Sequence, residues 1–173
     1  MFYVSQVRIC LSNVFLHPHY FTSSWLVSKV EHILKDQFLH SWRASIENSS
    51  KGQFYKCFKD NLCFENYLYL PKDIYFPILK LRTSNHNLPV ETGRWHSIPR
   101  EERFCKLCDA KVVGDEFHYL FRCEALLQLR SAYLPIITYS DRHIQINKVL
   151  CKKSWNDLKN LKLFLNALFK MFK

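Results

Sequence analysis

Residues 103–123 read RFCKLCDAKVVGDEFHYLFRC, and this stretch contains the pattern Cys-x2-Cys-x9-His-x4-Cys. Cys105 and Cys108 are close enough in sequence for both sulfurs to reach one ion, and His118 and Cys123 follow at a spacing typical of metal ligands. Three thiolates and one imidazole are a common ligand set of structural Zn²⁺, which is four-coordinate and tetrahedral. The pattern therefore predicts a zinc site formed by Cys105, Cys108, His118 and Cys123.

The local sequence also predicts how these ligands are presented. Residues 103–114 are expected to form a small β-hairpin or knuckle, with Gly114 at its bend. Asp115 can cap a helix over 115–134 that carries the remaining two ligands. The four residues between His118 and Cys123 turn this pair partly off a single helical face.

Other interpretations of the same residues remain open. The three cysteines can be buried thiols and His118 a core histidine, because free cysteine is often buried. A redox Cys-x-x-Cys motif is disfavoured, because no thioredoxin-like βαβ pattern surrounds it. His96 is an alternative ligand, although it precedes the predicted hairpin. Glu116 beside His118 suggests a base for zinc-activated water, but four protein ligands leave no open position, so we predict no catalytic role.

Composition favours a helical protein. The chain has 173 residues, 48% hydrophobic and 16% aromatic, and only three glycines. Such a chain can bury a substantial core and has few residues for the many turns of a β-sandwich. We therefore predict a mainly α-helical domain with a small zinc-stapled β-hairpin, followed by the ligand-bearing helix.

The cysteine count and the chain start bear on the compartment. Seven cysteines is an odd number, and residues 1–16 lack the pattern of a secretory signal. We therefore expect a reducing, intracellular compartment, nuclear or cytoplasmic, rather than a disulfide scaffold. No run of apolar residues is long enough to predict a membrane span. Cysteines without a partner at ligand spacing are interpreted as core or surface thiols: Cys10, Cys57, Cys63 and Cys151.

Hydrophobic periodicity places the helices in order along the chain. The clearest helix covers 23–47, with apolar residues at steps of three and four. A short helix is predicted near 53–60 and another near 72–84, where Pro77 should kink or delay it. Residues 63–70 are compatible with either an extended or a helical segment. A long connection is expected over 85–102, and a basic amphipathic helix over 153–172.

These elements suggest four parts: an uncertain segment 1–22, a helical region 23–100, a zinc module 101–134 and a basic helical tail 135–173. The net charge is +10, and residues 131–173 hold eight Lys or Arg against two Asp or Glu. A basic amphipathic helix can lie on a membrane or on nucleic acid. The commoner arrangement is a terminal helix docked on its own core with its lysines in water.

Four segments of the chain carry a resemblance to a known family. They are Asn48–Tyr55, Leu81–Trp95, Ile98–Cys108 and Gly114–Cys123. Together they resemble the C-terminal region of reverse-transcriptase polyproteins from LINE-like (non-LTR) retrotransposons, which follows the polymerase and carries a Cys-x2-Cys…His-x4-Cys zinc motif. The likeness is most specific between 81 and 123 and weak at both ends of the chain.

This resemblance implies a module that binds element RNA or target DNA, with a polymerase domain as a further partner. It also implies that Cys105, Cys108, His118 and Cys123 hold Zn²⁺. The aromatic-x-Asp-Asp signature of the polymerase metals is absent, and no nuclease carboxylate set is found, so we predict no enzyme activity. The chain would then be a fragment, a degenerate copy or a host gene derived from one.

The candidate nucleic-acid contacts are basic or aromatic residues near the ligands, because Arg suits phosphate and base edges and Trp offers a stacking face. They are Arg82, His86, Arg94, Trp95, Arg100, Arg103 and Arg122. Alternatively, Arg94 and Arg100 pair with Glu91, Glu101 or Glu102, and Trp95 is a core residue.

Three function hypotheses follow from these features. The first is a nucleic-acid-binding zinc module. The second is a zinc-stabilised protein–protein interaction module without nucleic-acid affinity, which the aromatic content and the basic tail allow. The third, a cysteine-dependent enzyme, requires an exposed cysteine of low pKa near a histidine.

Overall fold

The computed structural model describes residues 23–59, 61–135, 141–151 and 154–173. The prediction of an uncertain segment over 1–22 lies outside these residues. The described residues are mainly helical and form no β-strand, which confirms a mainly α-helical class. None of the described helices is both long and apolar enough to cross a membrane.

The chain divides into two units, residues 1–45 and 46–173. The described part of the first unit belongs to helix α1 (Ser23–Glu47), whose bounds match the helix predicted from periodicity. On its surface Lys35 pairs with Glu31 at 2.6 Å and His32 with Asp36 at 3.4 Å, both four residues apart. Such pairs support an exposed helix by a few tenths of a kcal/mol each.

The second unit is built from six α-helices among its described residues, joined by short 3₁₀ and π turns. The α-helices are α2 (Gly52–Tyr55), α3 (Lys72–Arg82), α4 (Pro89–Trp95), α5 (Leu127–Tyr133), α6 (Arg142–Leu150) and α7 (Trp155–Lys170). The 3₁₀ turns cover Asn66–Tyr69, Arg100–Glu102 and Glu124–Leu126, and a π-helical turn covers His118–Arg122.

Helix α7 is the centre of this unit, because α3 and α5 both pack against it. Its apolar face is buried, with Phe164, Leu165 and Leu168 fully inaccessible to solvent. Ile78 and Leu81 of α3 are buried to the same degree. The amphipathic helix predicted near 153–172 is therefore docked on its own core, which is the commoner of the two arrangements considered.

Helix α3 begins at Lys72, directly after Pro71, and ends at Arg82. Asp73 lies in its first turn and Lys80 and Arg82 in its last, which matches the helix dipole. The helix includes Pro77, so of the two predicted effects, a kink or a delay, the delay is wrong and the kink stays a prediction. The proline side of the helix is buried.

The predicted long connection over 85–102 is wrong, because it contains α4. Pro89 occupies the first helical position, where its missing N–H costs no hydrogen bond, and Glu91 lies in the first turn. Gly93 lies inside this short helix. A Cβ at Gly93 would lie 2.5 Å from Cγ of Arg103, so a larger residue would force the Arg103 side chain to move.

Helix α6 was not predicted separately within the tail. Asp141 caps it by accepting a hydrogen bond from the N–H of Ile144 at 2.9 Å. Ile146 is followed three and four residues later by Val149 and Leu150, and all three are buried. An N-cap followed by these apolar residues was the signal that could have identified this helix.

Candidate metal centre

The loop that carries Cys105 and Cys108 is closed by one antiparallel bridge between Phe104 and Val113. The N–H of Cys105 donates to the carbonyl of Val112 at 2.8 Å, and that of Gly114 to Arg103 at 2.8 Å. The predicted β-hairpin is not supported, because the described residues here form a single bridge and no strand. The 3₁₀ turn Arg100–Glu102 and the helix cap at Asp115 flank the bridge closely, so the pairing does not extend.

Gly114 is required by close packing rather than by its backbone conformation. A Cβ at Gly114 would lie 2.7 Å from the Tyr119 hydroxyl and 3.1 Å from Cα of Cys105. The left-handed conformation in this loop occurs instead at Lys111, with φ of 48°. The bend predicted at Gly114 is therefore formed in part by a different residue.

The second pair of ligands is presented by the π-helical turn His118–Arg122. The N–H of Cys123 donates to the carbonyl of His118 at 2.8 Å, a bond between residues five apart. In an α-helix, residues five apart point about 140° away from each other. The wider π turn brings Cys123 back towards His118, and single π turns occur frequently at functional sites.

The continuous ligand helix predicted over 115–134 is wrong. At Cys123 the backbone leaves the helical conformation, with ψ of 116°, and helix resumes as the 3₁₀ turn and then α5. Arg130 of α5 donates to the carbonyl of Cys123 at 2.6 Å and so holds the chain at this exit. The break places the Cys123 sulfur against the loop.

The four predicted ligands lie together, with their ligand atoms all within 4.8 Å of one another. The sulfurs of Cys105 and Cys123 are 3.9 Å apart, and the Cys108 sulfur lies 3.4 Å from Nε2 of His118. Tetrahedral zinc would require about 3.8 Å between two sulfurs and about 3.6 Å between sulfur and nitrogen. The spacing is therefore compatible with one metal ion at the centre of the cluster. His96, the alternative ligand, is not part of this cluster.

The environment favours charge on one cysteine and opposes it on another. Burial raises the pKa of the Cys105 thiol, but hydrogen bonds from the Tyr119 hydroxyl and the N–H groups of Leu107 and Cys108 outweigh burial and hold that pKa below its usual range. Burial, together with the adjacent Cys105, raises the pKa of Cys123 to about 12. A cation beside the Cys123 sulfur would oppose this effect and favour its thiolate.

His118 is held in the form that a metal requires. Burial lowers the pKa of its imidazole, so the ring is neutral at physiological pH. Its N–H in the main chain donates to Oδ1 of Asp115 at 2.8 Å, which is the predicted helix cap. The cap fixes the start of the turn from which the imidazole extends.

Glu116 contacts the preceding loop rather than the ligand cluster. Its Oε1 accepts from the Ser84 hydroxyl at 3.1 Å and from Nε2 of His86 at 3.3 Å, while Nδ1 of His86 accepts from the N–H of Leu88. Burial raises the pKa of Glu116, but these hydrogen bonds outweigh it and lower the pKa below the usual value. The carboxylate therefore ties the residue 84–88 loop to the ligand turn.

Two of the predicted nucleic-acid contacts are interior residues. Arg82 is 1% exposed, forms an ion pair with Glu65 at 3.0 Å and donates to the carbonyl of Leu150 at 3.0 Å. Its guanidinium lies 4.3 Å from the ring centroid of Phe58. His86 is also buried against Glu116. Both side chains act within the core, which removes them from the candidate surface.

The remaining candidates differ in their surroundings. Arg94 forms two hydrogen bonds with Glu91, at 3.0 and 2.9 Å, as the alternative interpretation proposed. Arg103 donates to the carbonyls of Ile98 and Val90, both at 2.8 Å. Trp95 is 52% exposed, so it is not a core residue.

Arg100 and Arg122 are exposed, and the fold adds a third arginine that sequence analysis missed. Arg142 of α6 donates to Oδ2 of Asp115 at 3.1 Å, and Arg100 reaches the same oxygen at 3.3 Å. The guanidinium groups of Arg142 and Arg122 lie 4.6 and 5.7 Å from the ring centroid of Phe117. We refer to Arg100, Arg122 and Arg142 around Phe117 as the arginine patch.

Comparison with known proteins identifies no relative for this arrangement. The chain matches no protein-family model, no curated protein and no solved structure. The site therefore has to be interpreted from its own residues.

Proposed function

We propose that this chain is a nucleic-acid-binding module in which Cys105, Cys108, His118 and Cys123 hold one structural Zn²⁺. The observation that carries this proposal is the arginine patch beside the ligand turn. It contains three guanidinium groups and one carboxylate, Asp115, and the side chains of Arg100 and Arg142 are each 44% exposed. The patch therefore presents a net positive, accessible surface.

The chemistry of the patch suits a nucleic-acid backbone. A guanidinium group binds phosphate oxygens through two parallel N–H donors, and its planar face stacks on aromatic rings. Here Phe117 lies beside two of the three guanidinium groups and Asp115 contacts two, which limits their freedom before any partner arrives. Preorganisation of this kind reduces the entropy lost on binding.

The metal would have a structural role. Three thiolates and an imidazole in tetrahedral arrangement favour zinc over the harder cations, which prefer oxygen ligands. Four protein ligands leave no open position for substrate or water, so this proposal includes no metal-catalysed step. Bound zinc would hold the π turn against the loop and so fix Arg122 relative to Arg100.

The resemblance to the C-terminal region of LINE-like reverse transcriptases supports the same proposal, because that region combines this ligand pattern with nucleic-acid binding. On this basis RNA or DNA is the partner, and a polymerase domain is a further one. The odd number of cysteines favours a reducing compartment, so the proposed location is nuclear or cytoplasmic. The proposal concerns binding and not polymerase or nuclease activity.

The test is binding of the metal-loaded chain to labelled single-stranded and double-stranded probes at two salt concentrations. Affinity should fall steeply between low and physiological salt, because phosphate contacts release counterions. Arg122→Gln removes one patch charge without breaking an ion pair with Asp115. We expect weaker binding to every probe and a smaller salt slope, by about 0.9 on duplex DNA for one lost phosphate contact.

Lys80→Gln is the matched control, because Lys80 also lies over an aromatic ring, 4.8 Å from the centroid of Phe76, but on α3. Equal effects of the two substitutions would show that only net charge matters and would contradict the patch. No binding by the unaltered chain at low salt would reject the proposed function. That result, with a protein partner retained after nuclease treatment, would favour the protein-interaction alternative.

A further inference from the structure

A second surface adjoins the loop that carries Cys105. It is an open cleft of about 640 Å³ between α4, the loop and the end of α7. Its lining includes Phe104, Lys106, Phe172 and Lys173. This volume is within the range of about 300–1,000 Å³ that small-ligand sites occupy.

The cleft is built on the ligand loop and not on mobile side chains alone. Phe104 is held by its backbone bridge to Val113, so its ring position depends on the closed loop. Phe172, another lining residue, packs edge-on against Tyr119, with ring centroids 5.2 Å apart. Tyr119 is fully buried in the ligand turn. The positions of Phe104 and Phe172 therefore both depend on the segments that carry the candidate ligands.

The lining combines positive charge with an accessible ring. Arg103, Lys106 and Lys173 are cationic, and Glu102 is the acidic residue among the lining positions of the described chain. The Phe104 side chain is 47% exposed, although a phenyl ring gains by burial. Arg103 precedes Phe104 directly in the chain, and Lys106 follows it two residues later.

We propose that this cleft binds single-stranded nucleic acid, with one unpaired base stacked on Phe104 and the adjacent phosphate held by Lys106. An unpaired base offers the ring a free face, whereas a base within a duplex is already stacked on both sides. The cleft would give the module a preference for single strands, while the arginine patch binds phosphates of any strand. This inference rests on the proposed function and specifies where an unpaired segment lies.

The experiment uses the full, metal-loaded chain and a labelled oligothymidylate, with fluorescence anisotropy as the readout. Phe104→Ala should weaken binding about tenfold, in the range expected for loss of one stacked base. Phe104→Tyr keeps a ring and should retain binding. Phe76→Ala is the control. Phe76 is 40% exposed, close to the 47% of Phe104, and two lysines lie over its ring, but it is outside the cleft.

Lysine variants test the phosphate contact independently. Lys106→Gln should lower the salt slope on the single strand by about 0.7, the value for one phosphate contact. Lys111→Gln removes the same charge from the same loop outside the cleft and should change the slope less. Metal content per chain, measured by native mass spectrometry, should be the same for both variants.

The outcomes separate this inference from the proposed function. If the unaltered chain binds oligothymidylate but Phe104→Ala and Phe76→Ala are equally affected, the cleft is rejected and the nucleic-acid function stands. If an acidic peptide of equal charge competes as well as the oligonucleotide, the cleft is a general anion site and the inference is also rejected. If the unaltered chain binds no probe, both are rejected.

Discussion

The loop over 104–113 and the α3–α7 helix pair are stabilised by different forces. Between α3 and α7 the contact residues are apolar and excluded from solvent, including Ile78, Leu81 and Phe164 at 0% exposure. In the loop, Phe104 and Val112 are 47% and 41% exposed. The comparison indicates that apolar burial holds the helix pair, whereas the loop has its hydrogen bonds and, under the proposed function, a metal ion bound at the sulfurs.

Because the loop buries less apolar surface than the helix pair, the entropy cost of ordering its backbone is less well offset. Fixing the backbone of each residue costs about 1–2 kcal/mol, and a segment that buries little apolar surface offsets little of that cost. Two backbone hydrogen bonds across the bridge contribute only about 1 kcal/mol each. A bound divalent ion would supply the remainder, because metal binding to such sites is coupled to folding.

The largest expected effect is the removal of metal. Chelation should unfold residues 103–123 while α3 and α7 keep much of their helix, because the apparent binding energy of structural zinc is about 10–16 kcal/mol in small peptides. Hydrogen exchange with and without chelator measures the change segment by segment. Equal protection of 103–123 in both states would contradict the comparison.

Serine variants identify which sulfurs bind the ion. Cys108→Ser should lower the metal content to less than one ion per chain and loosen the same segment. Cys151→Ser is the control, because Cys151 is an exposed thiol outside the ligand cluster. Native mass spectrometry provides the metal count for both.

The second effect concerns the helix pair. Phe164→Ala removes a fully buried ring from α7 and should lower the free energy of unfolding by about 3–5 kcal/mol. Because the ligands lie elsewhere in the unit, one ion per chain should remain bound at low temperature. Urea denaturation followed by circular dichroism measures the loss. A change below about 1 kcal/mol would mean that apolar burial is not what holds these helices.

The third effect tests whether ion pairs also hold the helical part. Glu65 pairs with the buried side chains of Lys59 and Arg82. Glu65→Gln leaves two buried cations without their carboxylate and should cost about 3 kcal/mol. Glu31→Gln, at the exposed pair with Lys35, should cause no measurable change in the same urea titration.

The smallest effect is at the cap of the ligand turn. Asp115→Ala removes the acceptor for the His118 N–H and should lower stability by about 1 kcal/mol, whereas Asp115→Asn keeps the cap. Both variants lose the charge that contacts Arg100 and Arg142. Thermal unfolding of the metal-loaded protein should therefore rank Asn above Ala. Equal stability of the two variants would show that the ion pairs, which both variants lose, matter more than the cap.

Local patterns in the sequence were sufficient for several elements. The apolar spacing of 23–47 predicted α1, and that of 153–172 predicted α7, because both signals repeat over several turns. Shorter elements such as α4 and α6 were missed, since one or two turns give too few apolar repeats. The available signals were Pro89 at the first position of α4 and the N-cap Asp141 of α6.

The sequence by itself determined the ligand types, their spacing and the main helices, because each depends on residues close together in the chain. Only the tertiary structure decided which charges are buried and which are grouped. Arg82 and His86 lie inside because Glu65 and Glu116 meet them across the fold. Likewise, Arg142 joins Arg100 through Asp115, contacts that no local pattern encodes. The π turn also depends on the tertiary structure. It brings the Cys123 sulfur close to Cys105 of the loop, a contact between residues 18 positions apart in the chain.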